Sequence, residues 1–95
     1  MSDLTLYKID TELVLANANS VLQNGLLALQ QGSAGFDFSA LAKVDSSAVA
    51  VMLAWARAAA SSQVELSWQN LPENLLSLLK LYNLHHHFSP SSTRH

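Results

Sequence analysis

Three groups of side chains in this 95-residue sequence are of types that could do chemistry: the run Asp45-Ser46-Ser47, the consecutive histidines His85-His86-His87, and the carboxylate Asp37. A serine hydroxyl, an imidazole and a carboxylate are the parts of a hydrolytic triad, so Ser46, one of the histidines and Asp37 are the set to test first. No G-x-S-x-G elbow presents the serine, and neither a G-x-x-x-x-G-K-[ST] phosphate loop nor a glycine-rich dinucleotide fingerprint is present. With only three glycines, Gly25, Gly32 and Gly35, a loop that cradles a nucleotide is hard to build. No catalytic residue and no cofactor is therefore expected. Three consecutive histidines point in different directions, and with no cysteine in the chain they read as a polar C-terminal stretch and not as a zinc site.

The remaining group, Asp45-Ser46-Ser47, has a definite local chemistry. Asp45 is a good helix N-cap, and a helix beginning at Ser46 would place that hydroxyl beside unpaired backbone N–H groups at the positive end of the helix dipole. A phosphate on Ser46 would be tolerated there, and would bring roughly −1.5 to −2 charges to a surface with little charge of its own.

The elements that must hold these residues follow from periodicity. Leu4, Leu6 and Lys8 alternate with Thr5, Tyr7 and Ile9, and Glu12-Leu13-Val14-Leu15 follows an Asp10-Thr11 interruption, which reads as a β-hairpin. From Asn17 or Asn19, the residues Val21, Leu22, Gly25, Leu26 and Leu29 recur at helical spacing up to Gly32. Gly35-Phe36-Asp37-Phe38 suits a buried strand, Ser46 to about Ser61 a helix, and Val64-Glu65-Leu66-Ser67-Trp68 a half-solvated strand. Pro72 opens a last helix with the stripe Leu75, Leu78, Leu79 and Tyr82, and Asn83 is suited to end it in the left-handed conformation so that Leu84 folds back on Leu79. The predicted fold is α/β: a single domain of about four strands in a mixed sheet with three or more helices packed on it, in the order β-β-α-β-α-β-α. It spans residues 1–88, and residues 89–95 read as a flexible polar tail.

Composition narrows the partners. Lys and Arg number 5 and the net charge is −2, so no basic patch for nucleic acid can be assembled. The longest apolar run, Ala48 to Ala60, is interrupted by Arg57 and falls short of the roughly 20 residues that span a bilayer, so no membrane insertion is expected. The start, Met1-Ser2-Asp3-Leu4, does not read as a secretory signal, and without cysteines the expected compartment is the cytoplasm. Hydrophobic residues make up 49% and charged residues only 13%, so some apolar surface must be exposed or shared, which favours a protein partner or a second copy in a homodimer.

Phe36-Asp37-Phe38-Ser39, then Leu41, then Val44-Asp45-Ser46-Ser47 opening onto Val49, Met52 and Leu53, resembles the central motif of STAS domains. There an aspartate-hydrophobic-serine strand leads through a loop to a valine-aspartate-serine-serine-glycine turn and a helix. The resemblance covers residues 4 to 86. It implies a bacterial, non-catalytic binding module, and two branches of the family bear on the partner. In the anti-sigma-factor antagonists the residue matching Ser46 is the phosphoacceptor, and the implied partner is an anti-sigma kinase. In the MlaB-type cytoplasmic subunit of the Mla phospholipid-transport ABC complex, Ser46 is implied in docking onto the ATPase subunit, which would bring the domain to the inner membrane through its partner. The ending Leu79-Lys80-Leu81-Tyr82-Asn83-Leu84 looks more like the second branch. Ala48 stands where the family has glycine, which weakens the transfer of the phosphorylation role.

The helix from Ser46 adds an argument of its own. At 100° per residue Val49, Met52, Leu53, Ala56 and Ala60 share one face, the expected core side. Ser47, Val51, Ala54, Trp55 and Ala58 then point away from it. Val51, Ala54, Trp55 and Ala58 are thus expected to form an outward docking face, with Asp45, Ser46 and Ser47 as the partner-contact turn beside it.

Overall fold

The computed structural model describes residues 5–88, in the order β1 (Leu6–Lys8), α1 (Ala18–Gln30), β2 (Gly35–Asp37), α2 (Ser47–Ser61), β3 (Ser67–Gln69), α3 (Glu73–Leu81) and a terminal 3-10 helix (His85–Phe88). The strands lie in the order β1-β2-β3, and both pairs are parallel, with Tyr7 beside Phe36 and Phe36 beside Trp68. Each crossover contains a helix, as parallel neighbours require.

The expected four-stranded mixed sheet is therefore corrected to three parallel strands among the described residues. Glu12–Leu15 does not fold back on β1 as a hairpin. Leu13 instead makes one parallel bridge to Val44, donating its N–H to Lys43 and accepting one from Asp45. The cause lies in side chains that bend the segment out of strand conformation. Asn17 donates to the Glu12 carbonyl and accepts the Val14 N–H, while the Asp45 carboxylate takes the Leu15 N–H. What stays buried from this segment is Leu13, which is wholly enclosed.

All three α-helices end alike. The N–H of Ser33, Val64 and Leu84 reaches back to the carbonyl of Ala28, Ala59 and Leu79, and the residue before each has positive φ: Gly32 (101°), Gln63 (59°) and Asn83 (59°). This is the Schellman closure, and it fulfils the expectation for Asn83 and Leu84. β3 begins later than the alternation suggested, at Ser67, because Gln63 and Val64 are used in closing α2.

The core lies where the helices meet the sheet. Phe36 at its centre stacks on Trp55 of α2 with centroids 4.0 Å apart and planes 10° from parallel, and on Trp68 at 5.5 Å. Trp68 meets Phe88 edge-on at 4.8 Å, so the segment carrying the three histidines is anchored by a buried phenylalanine and is not a frayed tail up to that point. The expected tail, 89–95, lies outside the described residues.

Trp55 is the main correction to the helix reading. Its side chain is 0% exposed, Val51 is 4% exposed, and the buried face of α2 is Ala48, Val49, Val51, Met52, Trp55 and Ala59. The expected core residues Leu53 and Ala56 are half-buried and Ala60 is exposed. α2 is covered from two directions, by the sheet and by α1. On the α1 side, the indole Nε1 donates to the Leu22 carbonyl at 3.1 Å and occupies the space left by Gly25, where a Cβ would overlap the indole ring.

Candidate functional site

With Val51 and Trp55 withdrawn into the core, the surface around Asp45-Ser46-Ser47 is redrawn. Asp45 joins two segments of the chain. One carboxylate oxygen accepts the Ser47 N–H at 2.8 Å and the other the Leu15 N–H at 3.0 Å, so a single side chain ties the start of α2 to the loop that precedes α1. These two donors, Leu15 first, hold the Asp45 carboxyl below the usual carboxylate range. The backbone carbonyls of Asp45 and Ser46 take the N–H groups of Ala48 and Val49.

The first-turn amides from Ser47 to Val49 are thus already satisfied, and the expectation of unpaired N–H groups beside the Ser46 hydroxyl is corrected. Ser46 itself is the N-cap of α2, exposed, and its hydroxyl makes no capping bond. A phosphate on Ser46 would meet the helix dipole but no waiting amide cradle among residues 47–49.

Past Ser46 the exposed side of α2 carries no charge before Arg57, while Asp45, with Lys43 near it, flanks its opening. Ala50 follows one turn later and is exposed, and Ala54 and Ala58 continue along the helix half-buried. A shallow cleft of about 260 Å3 opens between the first turns of α1 and α2, bounded by Leu15, Ala18, Asn19, Leu22, Ser47 and Ala50. Leu15 stands at its rim with 77% of its surface exposed, held there by the bond from its N–H to Asp45. Sequence reasoning placed Leu15 in a strand and passed over Ala50. The signal available for Leu15 was the pair of asparagines, Asn17 and Asn19, which mark a turn into a helix better than a continuing strand.

The remaining candidates are held apart from this surface. Asp37 at the end of β2 accepts from the Asn70 side chain and the Ser39 N–H, both at 3.0 Å, and these donors, Asn70 first, lower its pKa. Asn70 sits at φ 60° at the end of β3, so the pair fastens the exits of two adjacent strands. His85, His86 and His87 are exposed on the 3-10 helix, with neighbouring rings 5.3 and 4.7 Å apart. Among the described residues no group of three metal-ligating side chains converges.

The two carboxylates make a pH prediction. Both stabilise through their ionised form, so their contribution is fully present above the ordinary carboxyl pKa of about 4 and is lost as pH falls through the lower folded value. Asp45→Asn, which can accept only through one oxygen, is expected to lower the thermal midpoint at neutral pH. The gap to wild type should shrink steadily as pH is taken below about 4. A gap independent of pH in calorimetry would show that the charge of Asp45 has no part in the clamp.

The family model described as "Mlab, STAS domain" matches residues 5–90 of this sequence. The chain belongs to the STAS domain family. The motif that carried the resemblance is the junction just described, in which the strand β2, the Asp45 clamp and the opening of α2 follow one another. Among solved structures, the STAS domain is similar to the anti-sigma factor antagonist SpoIIAA in its unphosphorylated form, with a TM-score of 0.72 and 15% identity, over 97% of this chain and 84% of that one. A comparison with the curated proteins found no match. Ala48, which the resemblance sets opposite the glycine of the family turn, is 0% exposed, so its methyl group packs in the core. Among the described residues no helix is long and apolar enough to cross a membrane.

Proposed function

We propose that this STAS domain is a non-catalytic binding subunit that docks, through the opening of α2, onto the cytoplasmic ATPase of an Mla-type phospholipid-transport ABC complex and supports its assembly or activity. The observation that carries the reading is the surface formed by Ser46, Ala50 and Leu15. These three side chains are exposed and carry no charge, and the Asp45 clamp ties the Leu15 loop to the start of α2. A surface of this kind lets another backbone approach closely, with one aliphatic anchor at its rim. The described family of the matching model and the Leu79-Lys80-Leu81-Tyr82-Asn83-Leu84 ending support the choice of partner. In this reading the domain works in the cytoplasm and is peripheral to the inner membrane through the complex, with Ser46, Ser47, Ala54 and Ala58 along the contact.

A second reading has its own support in the likeness to an anti-sigma factor antagonist. In it, Ser46 is phosphorylated by an anti-sigma kinase and the unmodified domain sequesters that kinase, freeing a sigma factor. The two are separated by purification from the native cell. Stable recovery of an ABC ATPase with its permease on the tagged domain is the expected result. Intact mass raised by one phosphate at Ser46, with a kinase recovered in place of the ATPase, would reject docking in favour of the switch.

A further inference from the structure

β1 is the outermost strand of the sheet on its side, with β2 as its only neighbour among the described residues. Thr5 and Ile9 point their backbone groups toward β2, where the Thr5 carbonyl accepts from Ala34 and the Ile9 N–H donates to Asp37. Backbone groups alternate in direction along a strand, so those of Leu6 and Lys8 face outward. Among the described residues this leaves two donors and two acceptors in a row on an edge with no proline and no bulge, blunted by its three-residue length and by Lys8. Alongside the edge runs a groove of about 420 Å3 lined by Leu6, Tyr7, Lys8, Asn24, Leu27 and Gln31, in which Leu27 of α1 is 52% exposed.

We propose that this edge pairs antiparallel with β1 of a second copy of the chain, joining two three-stranded sheets into one of six. The outward groups fix the register. Leu6 exchanges both hydrogen bonds with Lys8 of the second copy, and Lys8 with its Leu6, so all four groups of each strand are used about a two-fold axis through Tyr7. This register sets each lysine opposite a leucine, along which its aliphatic stem can lie, and keeps the two ammonium groups from facing one another. Each lysine also lies in register with Asp37 on the adjacent strand β2 of its own sheet, which supplies the compensating charge. The alternative that pairs Lys8 with Lys8 opposes like charges and is disfavoured. The two-fold axis puts the helical layers of both copies on the same side, so the exposed Leu27 of each α1 flanks the seam.

The test is sedimentation of the full chain over a dilution series. Wild type is expected to run at twice the mass of the chain and dissociate on dilution. Lys8→Pro removes an outward N–H while leaving the bonds to β2 in place, a substitution edge strands accept, and is expected to run as a folded monomer with an unchanged circular dichroism spectrum. A wild-type chain that remains monomeric throughout, or a dimer that survives Lys8→Pro, overturns the proposal. Should Lys8→Pro not fold, Leu27→Glu, which lies outside the core, is expected to weaken the dimer at least tenfold, and a dimer unchanged by it overturns the proposal equally.

Discussion

Trp55→Ala is expected to lower the unfolding free energy by about 3–5 kcal/mol, a large share of the 5–15 kcal/mol that holds a domain of this kind together. Among the described residues the side chain is the largest of those wholly buried, and it is engaged on each face: Phe36 stacks on it at 4.0 Å, Gly25 of α1 admits it, and Leu22 receives its N–H. Truncation removes the stacking, opens a cavity between α1 and the sheet and leaves the Leu22 carbonyl without the bond, three costs with the same sign. Urea unfolding measures the sum, and a loss below about 1 kcal/mol would contradict a fully packed indole. The reverse experiment is sharper in sign. Gly25→Ala, which in an isolated helix gains about 1 kcal/mol, is expected to destabilise here because the new methyl enters the indole. Combining it with Trp55→Phe should recover part of the loss, a coupling that a double-mutant cycle detects.

Ala50→Glu is expected to abolish recovery of the ATPase while leaving the thermal midpoint unchanged or slightly higher. Its position decides both halves. Ala50 is exposed in the first turn of α2, which carries no acidic residue, so a carboxylate there meets the positive end of the dipole and costs only a few tenths of a kcal/mol in helix propensity. In a docked complex the same carboxylate would be desolvated, and the neighbouring Asp45 carboxylate offers it no counter-charge. A loss of about 2–4 kcal/mol, roughly 30-fold or more in affinity, follows. Retained binding with an unaltered midpoint would remove the opening of α2 from the interface. Leu15→Asp tests the rim of the same surface, since that side chain is among the most exposed apolar ones in the described chain.

The parts of the fold that were legible in the sequence are those written in local chemistry. Asp45 reads as a cap because a short carboxylate before a helical run has few other uses, and it does bond the Ser47 N–H. Gly32 and Asn83 read as stops because they tolerate positive φ, and the structure places both there. Gln63 does the same task with no such mark, so the alternation from Val64 does not reveal that β3 starts only at Ser67. The burial of Trp55 is the least legible feature. Amphipathic reading finds a core face by contrast with a polar one, and α2 offers little contrast, since Arg57 is its only charged residue. Spacing alone is left to assign the faces, and spacing cannot register that α1 covers the same segment. A clue lay in α1, where Gly25 interrupts an otherwise apolar stripe, since a glycine inside a helix commonly marks a close packing partner. Leu13 failed for a related reason: its burial arises from a bridge to Val44, a residue far along the chain.

The bond from the Trp55 indole to the Leu22 carbonyl also gives the domain a built-in clock. Its proton can exchange with solvent deuterium only when α1 and α2 part, so its exchange rate reports the opening of that one seam. Amides at the centre of the sheet report only global unfolding. Partner docking at the mouth of the same two helices would slow the indole proton selectively, giving one resonance through which occupancy of the surface is read from inside the protein.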